Sequence, residues 1–248
     1  MADRISASLG EDGIVHISMH DAVGHNAMSQ AFVTDLLEAV HRVAVWESLK
    51  VLVLLGLPEV FCSGASRDVL ESLASAKALP PDLLLTKALL DVPAPTIAAM
   101  EGHALGGGLA LGVSADLVVI ARESRYGCPF MNMGFTPGMG LTRLLEHVLS
   151  PAIAHEMMFT GEAFKGSHFV GCSGFNYILP RAEVRAKAFD LADRIAEKPR
   201  VALVALKQTL AVRKRQAFEA AQASEAIMHQ VTFAQDDIHQ RIFEQFVG

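Results

Sequence analysis

The stretch TIAAMEGHALGGGLALGVSADLVVIA, residues 96–121, decides the fold. It opens on an apolar run, 96–100, and ends on another, 117–121. Neither alternates with polar residues, as expected of strands covered on both faces. Between them lie a glycine triplet, Gly106 to Gly108, and an apolar helix start. A strand, a crossover containing a helix and a second strand imply a mostly parallel sheet in an α/β protein.

The pattern extends outward from there. VLVLLGL (51–57) is a third buried strand ended by Gly and Pro, and IVHISM (14–19) alternates as a half-covered strand should. SQAFVTDLLEAVHRVAVW (29–46) has helical spacing, with Ser29 as N-cap. Beyond residue 180 the pattern is helical: 181–199, 201–214, 216–233 and 236–247. The expected organisation is a core over 1–180 and a helical region over 181–248 that packs on the core or on a neighbouring subunit.

Composition narrows the function. The chain has 248 residues, 51% of them hydrophobic, with a net charge of −6 and no long basic block. Nucleic acid is therefore not the expected partner. The longest apolar run, VLVLLGLPEVF, is interrupted by Gly56 and Pro58 and falls short of the ~20 residues of a membrane span. MADRISASLG has no secretory character. The three cysteines, Cys62, Cys128 and Cys172, form neither a CxxC pair nor a His/Cys ligand spacing. No metal and no cofactor are expected, and the compartment expected is the reducing cytoplasm.

Two glycine-containing turns carry the chemistry. FCSGAS (61–66) follows the 51–57 strand, and GHALGGGLALG (102–112) follows the 96–100 strand. A strand that runs through glycine into a helix leaves backbone N–H groups unpaired at the helix start, where the helix dipole favours negative charge. Glycines 106–108 admit a ligand close to that backbone. Two such turns side by side can aim two N–H groups at one oxygen, worth roughly 3 kcal/mol per donor in a transition state. The triplet fits neither the dinucleotide fingerprint nor the phosphate-binding loop.

FCSGAS, PTIAAMEGHALGGGLALGVSADLVV, FTPGMGLTRLL and MMFTGEAF, in this order, resemble the crotonase (enoyl-CoA hydratase/isomerase) family over nearly the whole chain. The resemblance implies a ββα superhelix with a helical C-terminal trimerisation region, and acyl-thioester substrates. It also implies an oxyanion hole made by the N–H groups of Ala65 and Gly107. Hydratases of the family carry a glutamate two residues after the triplet, where this chain has Ala110. They carry another after a proline, where it has Phe130. Isomerases place an acid slightly later, but 131–133 is Met-Asn-Met. From 102 to 145 the only carboxylates are Asp116, in a structural-looking stretch, and Glu123, in a charged turn. Hydration needs a base for water and an acid for carbon, so it is disfavoured.

Decarboxylation needs neither carboxylate, because the substrate supplies its own electron pair. An anionic neighbour would repel the substrate acid, so apolar Ala110 and Phe130 suit it. SRYG, MNMGFTPGMG, EMMFTGEAFKG, LPRAEV, EKPRVALVALKQTL and MHQVTF resemble the decarboxylating members of polyketide β-branching cassettes. Those enzymes convert 3-methylglutaconyl on an acyl carrier protein into 3-methylcrotonyl, and their proton handling is assigned to Lys and His, sometimes with Tyr. Lys87, between the two turns, and His229, on the third tail helix, are the matching catalytic residues. Lys77 and His239 are their substitutes, and no Tyr occurs between 61 and 100.

Phe130, Met131 and Met133, with Phe135, are expected to line the acyl end of a pantetheine tunnel. Arg67 and VRKRQ (212–216) are candidate contacts for an acidic carrier protein. Coenzyme A shares the pantetheine arm and is the other possible carrier, and a homotrimer or dimer of trimers is the expected assembly. A hydratase or isomerase with non-standard acids, or a non-catalytic assembly module, are the alternative functions.

Overall fold

The computed structural model describes residues 4–75 and 82–247. Strands β1 (Ile5–Leu9), β2 (Ile14–Met19) and β3 (Val51–Leu55) begin a six-stranded sheet that β5 (Thr96–Met100), β7 (Leu117–Ala121) and β10 (Tyr177–Leu179) complete. Its order is β1-β2-β3-β5-β7-β10, and every pair except β1–β2 is parallel. A second sheet has the order β4-β6-β8-β9, from Val60–Cys62, His103–Leu105, Arg125–Gly127 and Ala163–Lys165. Only β8–β9 is antiparallel there.

The chain thus visits the large sheet, then the small one, then a helix, and repeats. β3, β4 and α2 (Arg67–Ala74) make one such turn, and β5, β6 and α4 (Gly107–Ser114) the next. This is the ββα superhelix expected from the resemblance. Each short strand of the second sheet hangs a tight turn directly after its parent strand, and that placement makes the site.

The sequence patterns explain the elements. α1 (Gln30–Ala44) starts on Ser29, whose hydroxyl accepts the Phe32 N–H at 3.2 Å. β3 and β5 are buried along their whole length, as their unbroken apolar character requires. α7 (Arg181–Ala196) lays Val184, Ala188, Ala192 and Ala196 on the outer face of the large sheet. The expected helix at 201–214 ends earlier: α8 spans Arg200–Leu210, and Val212–Arg215 open α9 (Val212–Thr232). Strands β4, β6, β8, β9 and β10 are not legible in the sequence because runs of three residues carry too few side chains for a period, and β1 is not read either.

The tail helices return to the core. α9 packs on α5 (Leu141–Leu144) and on α3 (Asp82–Asp91), while α10 (Ile238–Val247) packs on α2. α10 closes a small apolar cluster of Leu70, Met133, Phe135, Ile238 and Ile242. Among the described residues no helix is long and apolar enough to cross a membrane.

Candidate active site

The two glycine turns lie side by side. Gly64 is left-handed, with φ +88°, and a Cβ there would stand 2.8 Å from Leu105 O and 3.6 Å from Gly107 N. Gly106 is also left-handed, at φ +52°, and its N–H donates to Gly127 O at 2.9 Å. Gly107 then opens α4, and the eight residues of that helix are all buried.

Ala65 forms a parallel bridge with Met28. The bridge uses the groups flanking it: Met28 N–H donates to Gly64 O at 2.8 Å, and Ser66 N–H to Met28 O at 3.4 Å. In extended backbone successive peptide groups alternate sides, so the Ala65 N–H points away from Met28. Among the described residues, neither the Ala65 nor the Gly107 N–H has a hydrogen-bond partner. Gly107 is buried and Ala65 half-buried, and a ligand oxygen can supply the acceptor both lack.

Buried groups brace both turns. Asn26, fully buried and left-handed at φ 52°, donates to Met19 O at 3.1 Å and Phe61 O at 3.0 Å, and accepts Asp21 N–H at 2.8 Å. Beneath FCSGAS, the Cys62 thiol donates to Asn26 O at 3.0 Å, and burial pushes its pKa to about 12. Burial likewise raises Cys128. Neither is a thiolate nucleophile at neutral pH. The Tyr126 hydroxyl is committed to Met100 O at 2.7 Å, so this tyrosine is no proton donor to the turns.

The walls are apolar. The Phe130 ring lies 3.4 Å from where a Gly106 Cβ would be, and it packs edge-on against Phe135 with centroids 5.9 Å apart. Met133 is buried in the cluster that α10 closes, and Ala65 packs against that cluster. Met131, on the same short 3-10 turn, is 41% exposed. Ala110 is fully buried in α4. Asp116 is taken up by Lys207 and Thr96, and Glu123 accepts the Arg181 N–H at the start of α7.

The loop 134–142 borders the hole, and two residues one helical turn apart on α9 hold it. His229 Nε2 lies 2.9 Å from Thr136 O and 3.1 Å from Pro137 O. Carbonyls only accept, so Nε2 carries a hydrogen, and Nδ1 is the ring's other nitrogen. The ring packs edge-on against Phe135 and Phe233, at 6.5 and 5.4 Å. Glu225, almost wholly buried, accepts Gly140 N–H at 2.7 Å, Thr142 N–H at 3.0 Å and the Thr142 hydroxyl at 2.6 Å. Between these anchors Met139 is left-handed, at φ 62°. Its sulfur and that of Met28 would stand 2.7 and 2.8 Å from a Cβ at Gly107. Sequence reasoning missed Glu225, Met139 and Met28. The spacing of Glu225 and His229, four apart on one helix face, was the available signal for Glu225.

Lys87 stands elsewhere on its helix. Its side chain is 60% exposed and ion-paired with Asp91, which also lies 3.4 Å from Arg215 Nε. The neighbouring Thr86 faces inward and donates to Met139 O at 3.1 Å. Lys77 lies outside the described residues. His239 is exposed on α10. Arg67 stacks over Phe243 at 4.7 Å and pairs with Glu71. In VRKRQ, only Arg213 of the three basic residues is outward, since Lys214 donates to Val113 O and Ala115 O, and Arg215 to Leu90 O. Among the described residues no group of three His, Cys, Asp or Glu could hold a metal.

Comparison with known proteins places the chain in a family. Residues 10–247 match the family described as enoyl-CoA hydratase/isomerase. The chain is 35% identical over 232 residues to the bacillaene synthase decarboxylase PksI of Bacillus subtilis, covering 94% of this chain and 93% of that protein. Its structure superposes on the ECH2 decarboxylase domain of CurF from Lyngbya majuscula with a TM-score of 0.91 and 36% identity, covering 98% and 100% of the two chains. It superposes on a structure described for a dehydratase/decarboxylase enzyme couple in polyketide β-branching with a TM-score of 0.94 and 34% identity, covering 99% and 100%. The chain belongs to the enoyl-CoA hydratase/isomerase family, the crotonase superfamily.

Proposed function

We propose that the chain decarboxylates a 3-methylglutaconyl thioester, carried by an acyl carrier protein, to the 3-methylcrotonyl thioester. The observation that carries this reading is a pair of unpartnered N–H groups, Ala65 and Gly107, in a site walled by Phe130 and Met133 rather than by carboxylates. The two N–H groups hold the thioester oxygen. The bond to the substrate carboxyl breaks, CO₂ leaves, and its electron pair spreads through the conjugated system onto that oxygen as a dienolate. A proton then returns to the carbon that lost CO₂, and the conjugated product forms.

Lys87 and His229 handle that proton in this reading. His229 is tied to the 134–142 loop through the Thr136 and Pro137 carbonyls, with Nδ1 its remaining ring nitrogen. Lys87 reaches the substrate by leaving Asp91, which a four-carbon stem at a half-exposed surface ion pair permits. Met131 lies at the outer end of the acyl wall. Arg213, outward on α9, and Arg67, which would have to leave Glu71, are the basic residues offered to an acidic carrier.

Mass spectrometry of the 3-methylglutaconyl carrier protein incubated with the chain is expected to show a loss equal to CO₂. Lys87→Ala is expected to slow that loss by about a hundredfold, the usual scale for a proton-transfer group. An unchanged substrate mass under saturating enzyme ends the proposal. Turnover of the coenzyme A thioester alone moves the carrier from protein to coenzyme A.

A second copy of the chain fits the outer faces of α8 and α9, where Leu206, Leu210, Ile227 and Val231 are exposed. A homotrimer or dimer of trimers buries them. Light scattering is expected to give three or six times 26.6 kDa, and a monomer or dimer mass rules the assembly out.

A further inference from the structure

Lys214 is an ammonium that reaches inward from α9, and among the described residues no carboxylate is bonded to it. Its Nζ donates to Val113 O at 2.9 Å and to Ala115 O at 2.5 Å. Those carbonyls lie at the C-terminal end of α4, the helix whose first residue is Gly107. Beside it, Lys207 is only 2% exposed and binds both oxygens of Asp116, at 2.7 and 2.6 Å. Lys207 and Asp116 cancel, so the cluster keeps one positive charge, and that charge belongs to Lys214.

Placement gives this charge a reach. A helix leaves partial negative charge on its last carbonyls and partial positive charge on its first N–H groups. An ammonium on the last carbonyls masks the negative end and leaves the positive end less opposed. α4 has eight residues, about 12 Å at 1.5 Å per residue, and all eight are buried. A unit charge about 12 Å away, at an effective dielectric near 20, changes the rate of forming an oxyanion by about tenfold.

We infer that Lys214 is a positioning residue which, acting through α4, holds the Gly107 N–H end of the oxyanion hole at positive potential. The inference rests on the decarboxylase reading for its rate consequence, but not for its field.

The charged and titratable groups facing Lys214 are Asp116 after α4, Lys207 on α8, and His147 on the turn after α5; α4 itself carries none. Burial, the largest influence, pulls the Lys214 pKa down to about 8 from 10.5, with Lys207 adding to that fall and Asp116 opposing it. A lysine whose folded pKa is depressed burdens the fold while charged. Stability is therefore expected to rise as pH climbs from about 8 to 10.5, while the field at Gly107 fades. A helix cap with only a structural role would not set stability against rate in this way.

The test compares wild type, Lys214→Met and Lys214→Arg, each checked by thermal melt. Wild-type kcat for CO₂ loss is expected to fall through a step near pH 8. Lys214→Met is expected to be about tenfold slower with KM little changed and the step gone, and Lys214→Arg to hold its rate past the step. Infrared spectra of a bound carbonyl-labelled thioester read the field without turnover. The carbonyl band is expected at lower frequency in wild type than in Lys214→Met. Equal bands in folded proteins overturn the Lys214 assignment. A wild type that binds the thioester but releases no CO₂ ends the decarboxylase reading alone, and the band comparison still decides Lys214.

Discussion

Gly108→Ala is expected to melt several degrees below wild type and to lose most activity, while Gly107→Ala melts close to wild type. In an open helix, alanine is the better residue by about 1 kcal/mol, so propensity alone predicts that both substitutions stabilise. What the new methyl meets decides otherwise. At 108 it would lie 2.2 Å from Cys62 O and 2.8 Å from the Cys62 carbonyl carbon and Cβ. These are backbone and stem atoms of β4, and no rotamer moves them. At 107 the nearest atoms are the Met139 and Met28 sulfurs, at 2.7 and 2.8 Å, which sit on flexible chains and can turn aside.

Overpacking against atoms that cannot rotate costs about 1–3 kcal/mol or more. Each kcal/mol lowers Tm by about 2–4 °C in a chain of this size. The structure relieves the clash by pushing β4 from α4, and β4 leads directly into the turn that carries Ala65. A shift of about 1 Å between the two N–H groups costs on the order of a hundredfold in rate. Differential scanning calorimetry and the CO₂-loss assay read both effects. Equal melting of the two variants sinks the close-approach argument.

That contrast also marks what the sequence made legible. Strands at 14–19, 96–100 and 117–121 were readable because unbroken or alternating apolar runs have few other uses, and the structure has them at those positions. The two glycine turns were readable because each follows such a strand. The small second sheet that sets them side by side was not, since its longest strand has three residues. Side-chain direction was the other blind spot. Lys87 and Thr86 are neighbours in sequence, yet a helix turns them about 100° apart, and Thr86 is the one that faces Met139. Lys214 and Arg215 read as a basic surface run, yet both end on buried-side carbonyls. Charge type is visible in a sequence, but which way a long side chain folds back depends on carbonyls contributed by α4 and α3, about a hundred residues earlier in the chain.

His229→Ala is expected to lower kcat by about a hundredfold or more, and His229→Gln decides why. The imidazole has two jobs available to it. Through Nε2–H it ties Thr136 O and Pro137 O to α9, and so fixes the loop that carries Met139 against Gly107. Through its other nitrogen it can carry a proton. Alanine removes both. It also leaves a space beside Phe135 and Phe233, and frees a loop that otherwise keeps Glu225 as its anchor. Glutamine keeps a terminal N–H group able to reach the two carbonyls but cannot change charge at any working pH. If proton handling is the role, glutamine is as slow as alanine while its melting temperature stays near wild type, because the tie to the loop survives. A glutamine variant with wild-type kcat removes His229 from the proton path and leaves it as the residue that holds the loop. The proton then falls to Lys87 alone, and the double variant Lys87→Ala, His229→Gln is expected to be no slower than Lys87→Ala. If both residues act on one proton, the double variant is again no slower than the slower single variant, but each single variant is already disabled, since groups working as a unit are not additive.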